Sequence, residues 1–170
     1  MLSRYPRTLR SMRAMTTDIF PPTNRARLEE IFRSDAYVKG LGTELVEWDG
    51  GHATFRLRPE SGHTNFVGTV HGGALFSLAD AAIGVASNSW GRVSVLLTAD
   101  AQFLSAGRVG DVLLARAEER SRTRRTAAFA VEVLSEADGA RRASLQAMCY
   151  RTERWHLGDD AWPDDWKARY

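Results

Sequence analysis

At 170 residues, 44% hydrophobic and 26% charged, the chain has the composition of a single globular domain with a sizeable core. It holds no apolar run long enough to span a bilayer, and its one cysteine, Cys149, cannot close an internal disulfide; both fit a reducing, cytoplasmic setting without a membrane partner. The net charge of +2 comes from a leader in which Arg4, Arg7, Arg10 and Arg13 precede the first acid, Asp18; the remainder carries 19 basic against 21 acidic residues and gives no case for nucleic-acid binding.

Residues 1–22 read as a disordered basic arm or as an upstream start, with Met15 as the true initiator. After the Pro21-Pro22 pair, Thr23 is placed to cap a helix over residues 24–33, with Leu28, Ile31 and Phe32 as its apolar stripe. LGTELVEWDGGHATFRLR has two alternating runs about the Asp49-Gly50-Gly51 turn, a hairpin. An irregular, glycine-rich stretch follows over residues 59–73, and ALFSLADAAIGVASNS then forms an apolar helix of about four turns. Alternating runs at residues 93–104, 111–120, 126–134 and 143–151 are separated by turn residues and read as an antiparallel meander. The order predicts an α+β domain over residues 23–152, with the long helix against one face of the sheet. That helix has little polar face, and one sheet covers only one side of it, so self-association is expected. Residues 153–170 form a Trp-rich tail that should pack over the body or a neighbour; no chemistry is assigned to it. Cys149, on a strand two residues before Arg151, reads as a small core residue.

One residue breaks the pattern. From residue 61 to residue 91 the only formally charged side chain is Asp80, set in the middle of the apolar helix. A buried charge is costly unless it is paired, neutralised or put to use. Gly72 and Gly73 open the same helix, where free amides and the dipole favour an oxygen that is gaining negative charge. Asp80 therefore offers a base or nucleophile and the helix start an electrophile-polarising end. The two lie seven residues apart, about 10 Å along the axis, too far to act on one carbonyl and its water. They converge if a second copy of the helix runs antiparallel beside the first, giving two symmetric sites. His71 as a cap and Asn65 as a turn residue are the plain alternatives for those positions, as a satisfied buried acid is for Asp80. No G-x-S-x-G occurs, and the histidines lack zinc-ligand spacing.

The stretch Asn65-x5-HGG-x2-F-x-LAD, with the later QFLSAG, GDVLLARA and AVEVLSE runs, resembles the hot-dog fold acyl-CoA thioesterases, and most of all their phenylacetate-pathway branch. The resemblance covers roughly residues 36–152. It implies a long helix wrapped by an antiparallel sheet, paired into homodimers and usually homotetramers, and hydrolysis of small or aromatic, phenylacetyl-like acyl-CoA thioesters. It assigns the Gly73 amide to the thioester carbonyl and Asp80 of the facing subunit to the attacking water, as base or as direct nucleophile. Asn65 would hold the water or substrate, and His71 would orient the thioester. Coenzyme A is the leaving group, with no metal or other cofactor, and Arg108, Arg122, Arg124 and Arg125 are candidates for its phosphates. Two positions depart from the pattern: Leu96 stands where a related branch has serine or threonine, and FLSAG stands where FLRPG is common. Other expectations for the same fold are a hydratase or dehydratase of acyl thioesters, disfavoured because no histidine follows Asp80 on its helix, or a non-catalytic acyl-CoA-binding domain.

Overall fold

The computed structural model describes residues 20–170, so the basic leader lies outside the described residues except for its last three positions. Helix α1 (Pro22–Arg33) and the short α2 (Ala36–Gly40) precede the hairpin of β1 (Thr43–Asp49) and β2 (His52–Leu57). Helix α3 (Gly72–Asn88) is followed by β3 (Arg92–Phe103), β4 (Leu113–Arg122), β5 (Thr126–Ser135) and β6 (Arg141–Trp155), and α4 (Asp164–Arg169) ends the chain. The expected hairpin and long helix are present, but the expected four-strand meander holds only for β4, β5 and β6: β3 does not pair with β4, and its long connection returns the chain to β2 instead. At the first helix the cap differs: α1 begins on Pro22, its N-cap is Pro21 without a side-chain hydrogen bond, and Thr23 lies inside the helix. Proline at the first helical position brings a pre-set φ and lacks the amide that a cap would have satisfied.

All strand pairs are antiparallel, in the order β1-β2-β4-β5-β6-β3. The strand that leaves α3 thus lands at the far edge beside β6, with its other edge unpaired among the described residues. Alternation along the strands sends Phe55, Leu57, Ala117, Phe129, Val131, Val133 and Leu145 inward. Against them α3 buries Leu75, Leu78, Ala79, Ala82, Ile83 and Ala86, each no more than 5% exposed. Small residues on the helix let its axis approach the sheet, so the helix is clasped in the sheet's curve. This is the arrangement the hot-dog resemblance implies.

The outer side of α3 is open where the sequence suggested cover all round. Gly73 and Gly84 are exposed, and Ser77, Asp80 and Asn88 are half-buried. Their spacing of three or four residues places them in one row along the helix. At its far end the helix is tied to the β1–β2 turn, where the Gly51 amide donates to Ser89 Oγ at 2.7 Å. Gly50 lies so close under the Trp90 ring that a Cβ there would come within 2.2 Å of it.

The Trp-rich tail packs on the body, and β6 runs three residues past position 152 into it. Trp162 and Trp166 are 2% and 5% exposed and stack at 5.8 Å, with Phe20 edge-on to both and to Trp48. Their indoles donate to the carbonyls of His156 at 2.7 Å and Trp90 at 3.0 Å. Asn24 of α1 donates to the Ala161 carbonyl at 2.8 Å, joining the first helix to the end of the chain.

Candidate active site

Helix α3 starts from an ordered loop. His71 is its N-cap, and the Gly73 amide donates to His71 Nδ1 at 2.7 Å. The amide that the sequence assigns to a carbonyl is thus already engaged, by a side chain that is itself exposed at the surface. Asn65 organises the preceding loop: Oδ1 accepts from the amides of Val67 and Thr69, each at 3.1 Å, and Nδ2 donates to Thr69 Oγ1 at 2.9 Å. Both side chains therefore hold backbone in place in this conformation. The loop is pinned to the β3–β4 connection through Val70 N–H and the Gly107 carbonyl, 2.9 Å apart. Gly72 faces the Phe103 ring closely enough that a Cβ would touch it at 3.5 Å, so the end of β3 lies beside the start of α3.

Asp80 sits two turns further along, on the floor of a groove of about 440 Å³ between the outer face of α3, the α1–α2 corner and the first half of β3. The groove is largely apolar: Ile31, Phe32, Val38, Phe55, Ile83, Val85, Val93, Val95 and Leu96 line it. Burial raises the Asp80 carboxyl above its ordinary value of 3.8, and the nearby Asp35 carboxylate raises it further. No hydrogen bond or ion pair to Asp80 occurs among the interactions of the described residues, so its charge is neither paired nor capped by an amide. Asp35, whose carboxylate caps α2 through the Val38 amide at 3.0 Å, shares the groove, as does Tyr37, whose hydroxyl meets Ser77 Oγ at 3.1 Å.

His156 also lines the groove, and nothing in its own neighbourhood in the sequence announces it. The tail carries it back across the sheet to the end of α3, where its Nε2 lies 2.8 Å from Asn88 Oδ1. That oxygen already accepts from the Ser94 amide while Asn88 Nδ2 donates to the Ser94 carbonyl, which fixes Nε2 as the donor. Burial, aided by Arg154, lowers the imidazole below its usual value, so it is neutral at pH 7 with Nδ1 as an acceptor. Cys149 is fully buried in the core, and burial pushes its thiol up to about 11, which suits the expected packing role.

A single chain does not bring all the expected residues together. His71, Gly73, Asn65 and Arg108 lie at the start of α3, Asp80 at its middle, and Arg122, Arg124 and Arg125 at the opposite end of the sheet by the β4–β5 turn. Arg122 is tied down there, with Nε 3.1 Å from Glu119 and its guanidinium 4.7 Å from the rings of both Trp90 and Tyr170. Arg124 is mostly exposed, 3.9 Å from Glu153. Among the described residues no cluster of three or more histidine, cysteine or acidic side chains is arranged to hold a metal, and no helix is long and apolar enough to cross a membrane.

A family model described as the thioesterase superfamily matches residues 67–140, the stretch that contains the α3 start, Asp80 and strands β3, β4 and β5. The acyl-coenzyme A thioesterase PaaI of Escherichia coli is 33% identical over 106 residues, covering 62% of this chain and 76% of that protein. The structure of the E. coli PaaI protein from the phenylacetic acid degradation operon superposes with a TM-score of 0.73 at 28% identity, over 78% of this chain and 94% of that one. A hypothetical thioesterase protein of Streptococcus pneumoniae, solved with coenzyme A, gives a TM-score of 0.67 at 26% identity, over 72% of this chain and 95% of that one.

Proposed function

The chain belongs to the thioesterase superfamily, and from that membership we propose that it hydrolyses small or aromatic acyl-CoA thioesters to the free acid and coenzyme A at sites shared by two copies of the chain. The observation that carries the reading is Asp80, a lone carboxylate with a raised proton affinity on the floor of an apolar groove. A carboxylate deprived of water and of partners is a stronger base than one in solvent, and a groove of about 440 Å³ has room for an acyl group beside it. A cavity of roughly 150 Å³ takes a benzene ring, so a phenylacetyl group fits within it, and the preference for small or aromatic acyl groups over long chains rests on the likeness to PaaI.

In this reading the thioester carbonyl docks on the Gly73 amide at the positive end of α3. His71 gives up that amide as the substrate arrives, and its freed ring then orients the thioester. Asp80 of the facing chain takes a proton from water as the oxygen attacks the carbonyl carbon. The tetrahedral oxyanion rests on the amide, and on collapse the sulfur leaves with the proton held by Asp80. Asn65 contributes by fixing the loop that presents His71 and Gly73. The partner is supplied at the free edge of β3, where Val95, Leu97 and Phe103 are at least 50% exposed. Unpaired backbone beside exposed apolar side chains favours an antiparallel strand from a second copy. Such pairing turns one chain's helix start toward the other's Asp80, and dimers pair further into tetramers. The enzyme would work in the cytoplasm, where acyl-CoA is available, with coenzyme A entering only as part of the substrate.

Release of free thiol from a panel of acyl-CoA esters tests this reading. Phenylacetyl-CoA and short aliphatic esters are expected to turn over at least about tenfold faster, as kcat/KM, than a C16 ester. A chain that binds these esters without releasing thiol would refute hydrolysis.

A further inference from the structure

We propose that His156, carried back to α3 by the C-terminal tail, is the end wall of the Asp80 groove and sets the length of acyl group it accepts; the assignment deepens the proposed function and rests on it. The groove has three walls: the outer face of α3, the α1–α2 corner and the first half of β3. At the end of α3 all three are tied together. Asn88, the last residue of the helix, donates through Nδ2 to the Ser94 carbonyl of β3 at 3.0 Å and accepts from the Ser94 amide at 2.9 Å. His156 Nε2 donates to Asn88 Oδ1 at 2.8 Å, and the imidazole meets the Phe32 ring of α1 edge-on with 6.4 Å between centres. The contacts from Phe32 through His156 and Asn88 to Ser94 thus cross the groove from wall to wall. At the other end, toward the start of α3, Tyr37 reaches Ser77 but is itself 64% exposed.

The wall is held through its main chain. The His156 amide donates to the Gly91 carbonyl at 2.8 Å, and its carbonyl accepts from the Trp162 indole at 2.7 Å. Leu157, next in the chain, has φ +71°, the one non-glycine residue in the left-handed region among the described residues. Such a residue stays there only when its surroundings over-determine the turn. Asp80 divides the space in front of the wall. Tyr37 and Ser77 lie on the side of the helix start, whereas Ile83, Val85 and Val93 line the side toward Asn88, where an apolar acyl group is therefore directed. From Asp80 to Asn88 the helix rises about 12 Å, and an extended chain advances about 1.2 Å per bond. About ten carbons fill that distance, so a phenylacetyl group ends short of the imidazole and a tetradecanoyl chain runs into it.

S-alkyl-CoA thioethers, which cannot be hydrolysed, test the wall apart from turnover. In calorimetric titrations the parent is expected to bind S-hexyl-CoA at least about tenfold more tightly than S-tetradecyl-CoA, against the gain that added methylenes ordinarily give. His156→Ala opens the end while the main-chain bonds to Gly91 and Trp162 remain, and should bring the two affinities within about threefold of each other. His156→Phe keeps a ring against Phe32 and should retain the parental preference, which a residue serving only the fold through its bond to Asn88 would not allow. In steady-state assays the ratio of kcat/KM for hexanoyl-CoA to that for tetradecanoyl-CoA should fall about tenfold in the alanine variant and stay within about twofold of the parent in the phenylalanine variant. Equal thioether affinities in the parent, a preference that survives in His156→Ala, weakening of both thioethers alike in that variant, or the same loss of preference in His156→Phe would overturn the wall. A length limit that depends on His156 in a parent that hydrolyses no thioester would leave the wall standing and remove the thioesterase reading instead.

Discussion

Asp80→Asn is expected to lower kcat about 10²- to 10⁴-fold, the range for losing a positioned general base, while acyl-CoA still binds within about twofold because the amide keeps the shape of the acid. A residual kcat within tenfold of the parent would contradict the assignment. Two pH effects accompany the loss. Burial and Asp35 raise the proton affinity of Asp80, so in the parent kcat/KM should fall on the acid side with a midpoint above the usual aspartate value of 3.8. Stability responds in the opposite sense. A carboxyl whose proton is held more tightly in the fold than in the unfolded chain stabilises the fold when protonated, below its unfolded value. That contribution is lost as pH rises through the higher folded value. At pH 8 the parent carries a half-buried charge that the asparagine variant lacks. The variant should therefore melt at the higher temperature at pH 8, and the two should converge at pH 3. Thermal melts across that range check the sign.

The largest expected effect on stability lies in the tail. Trp162→Ala removes a ring that is 2% exposed, packed between Phe20, Trp155 and Trp166, and hydrogen-bonded to the His156 carbonyl. The gap cannot close easily, because Gly91 lies flat against the ring at φ +88°, where a Cβ would come within 2.1 Å of it. A loss of about 3–5 kcal/mol follows from the aromatic volume removed, a large share of the about 5–15 kcal/mol that holds a typical domain. Activity should suffer as well, since the same indole anchors His156 at the end of the Asp80 groove. Denaturant unfolding measures the first effect and KM the second; a loss under 1 kcal/mol would mean that the tail contributes little to the fold. Trp162→Phe keeps most of the apolar contact and should retain more than half of the stability lost by alanine.

Much of this was legible in the chain itself, for identifiable reasons. Hairpin, long helix and meander each announce themselves through local alternation or helical spacing, and the turns between them through glycine, aspartate and serine. Asp80 stood out because no other charge occurs within ten residues on either side. What the pattern does not carry is pairing over long distances. Nothing local says that β3 crosses to the far edge to meet β6, or that β6 continues to Trp155 so that His156 returns to the end of α3. Asp35 sits in a short segment whose helix is only five residues long, and its effect on Asp80 depends on the α1–α2 corner folding over α3. At His71 the spacing was compatible with both a cap and a substrate contact, and the ring is found on the Gly73 amide. The same long-range effect separates the arginines: Arg124 and Arg125 share the turn that Arg151 braces, whereas Arg108 lies at the other end of the sheet.

The most direct measurement uses two inactive chains. Gly73→Pro removes the helix-start amide and Asp80→Asn removes the base, so each homomer should be nearly inert. If the amide of one subunit serves the acid of the other, co-expressed chains carrying different tags must form one intact site in each mixed dimer. Mixed dimers purified through both tags and verified by native mass should then recover close to half of the parental activity per dimer. Mixed dimers as inactive as either homomer would place both groups on one chain and refute the shared site.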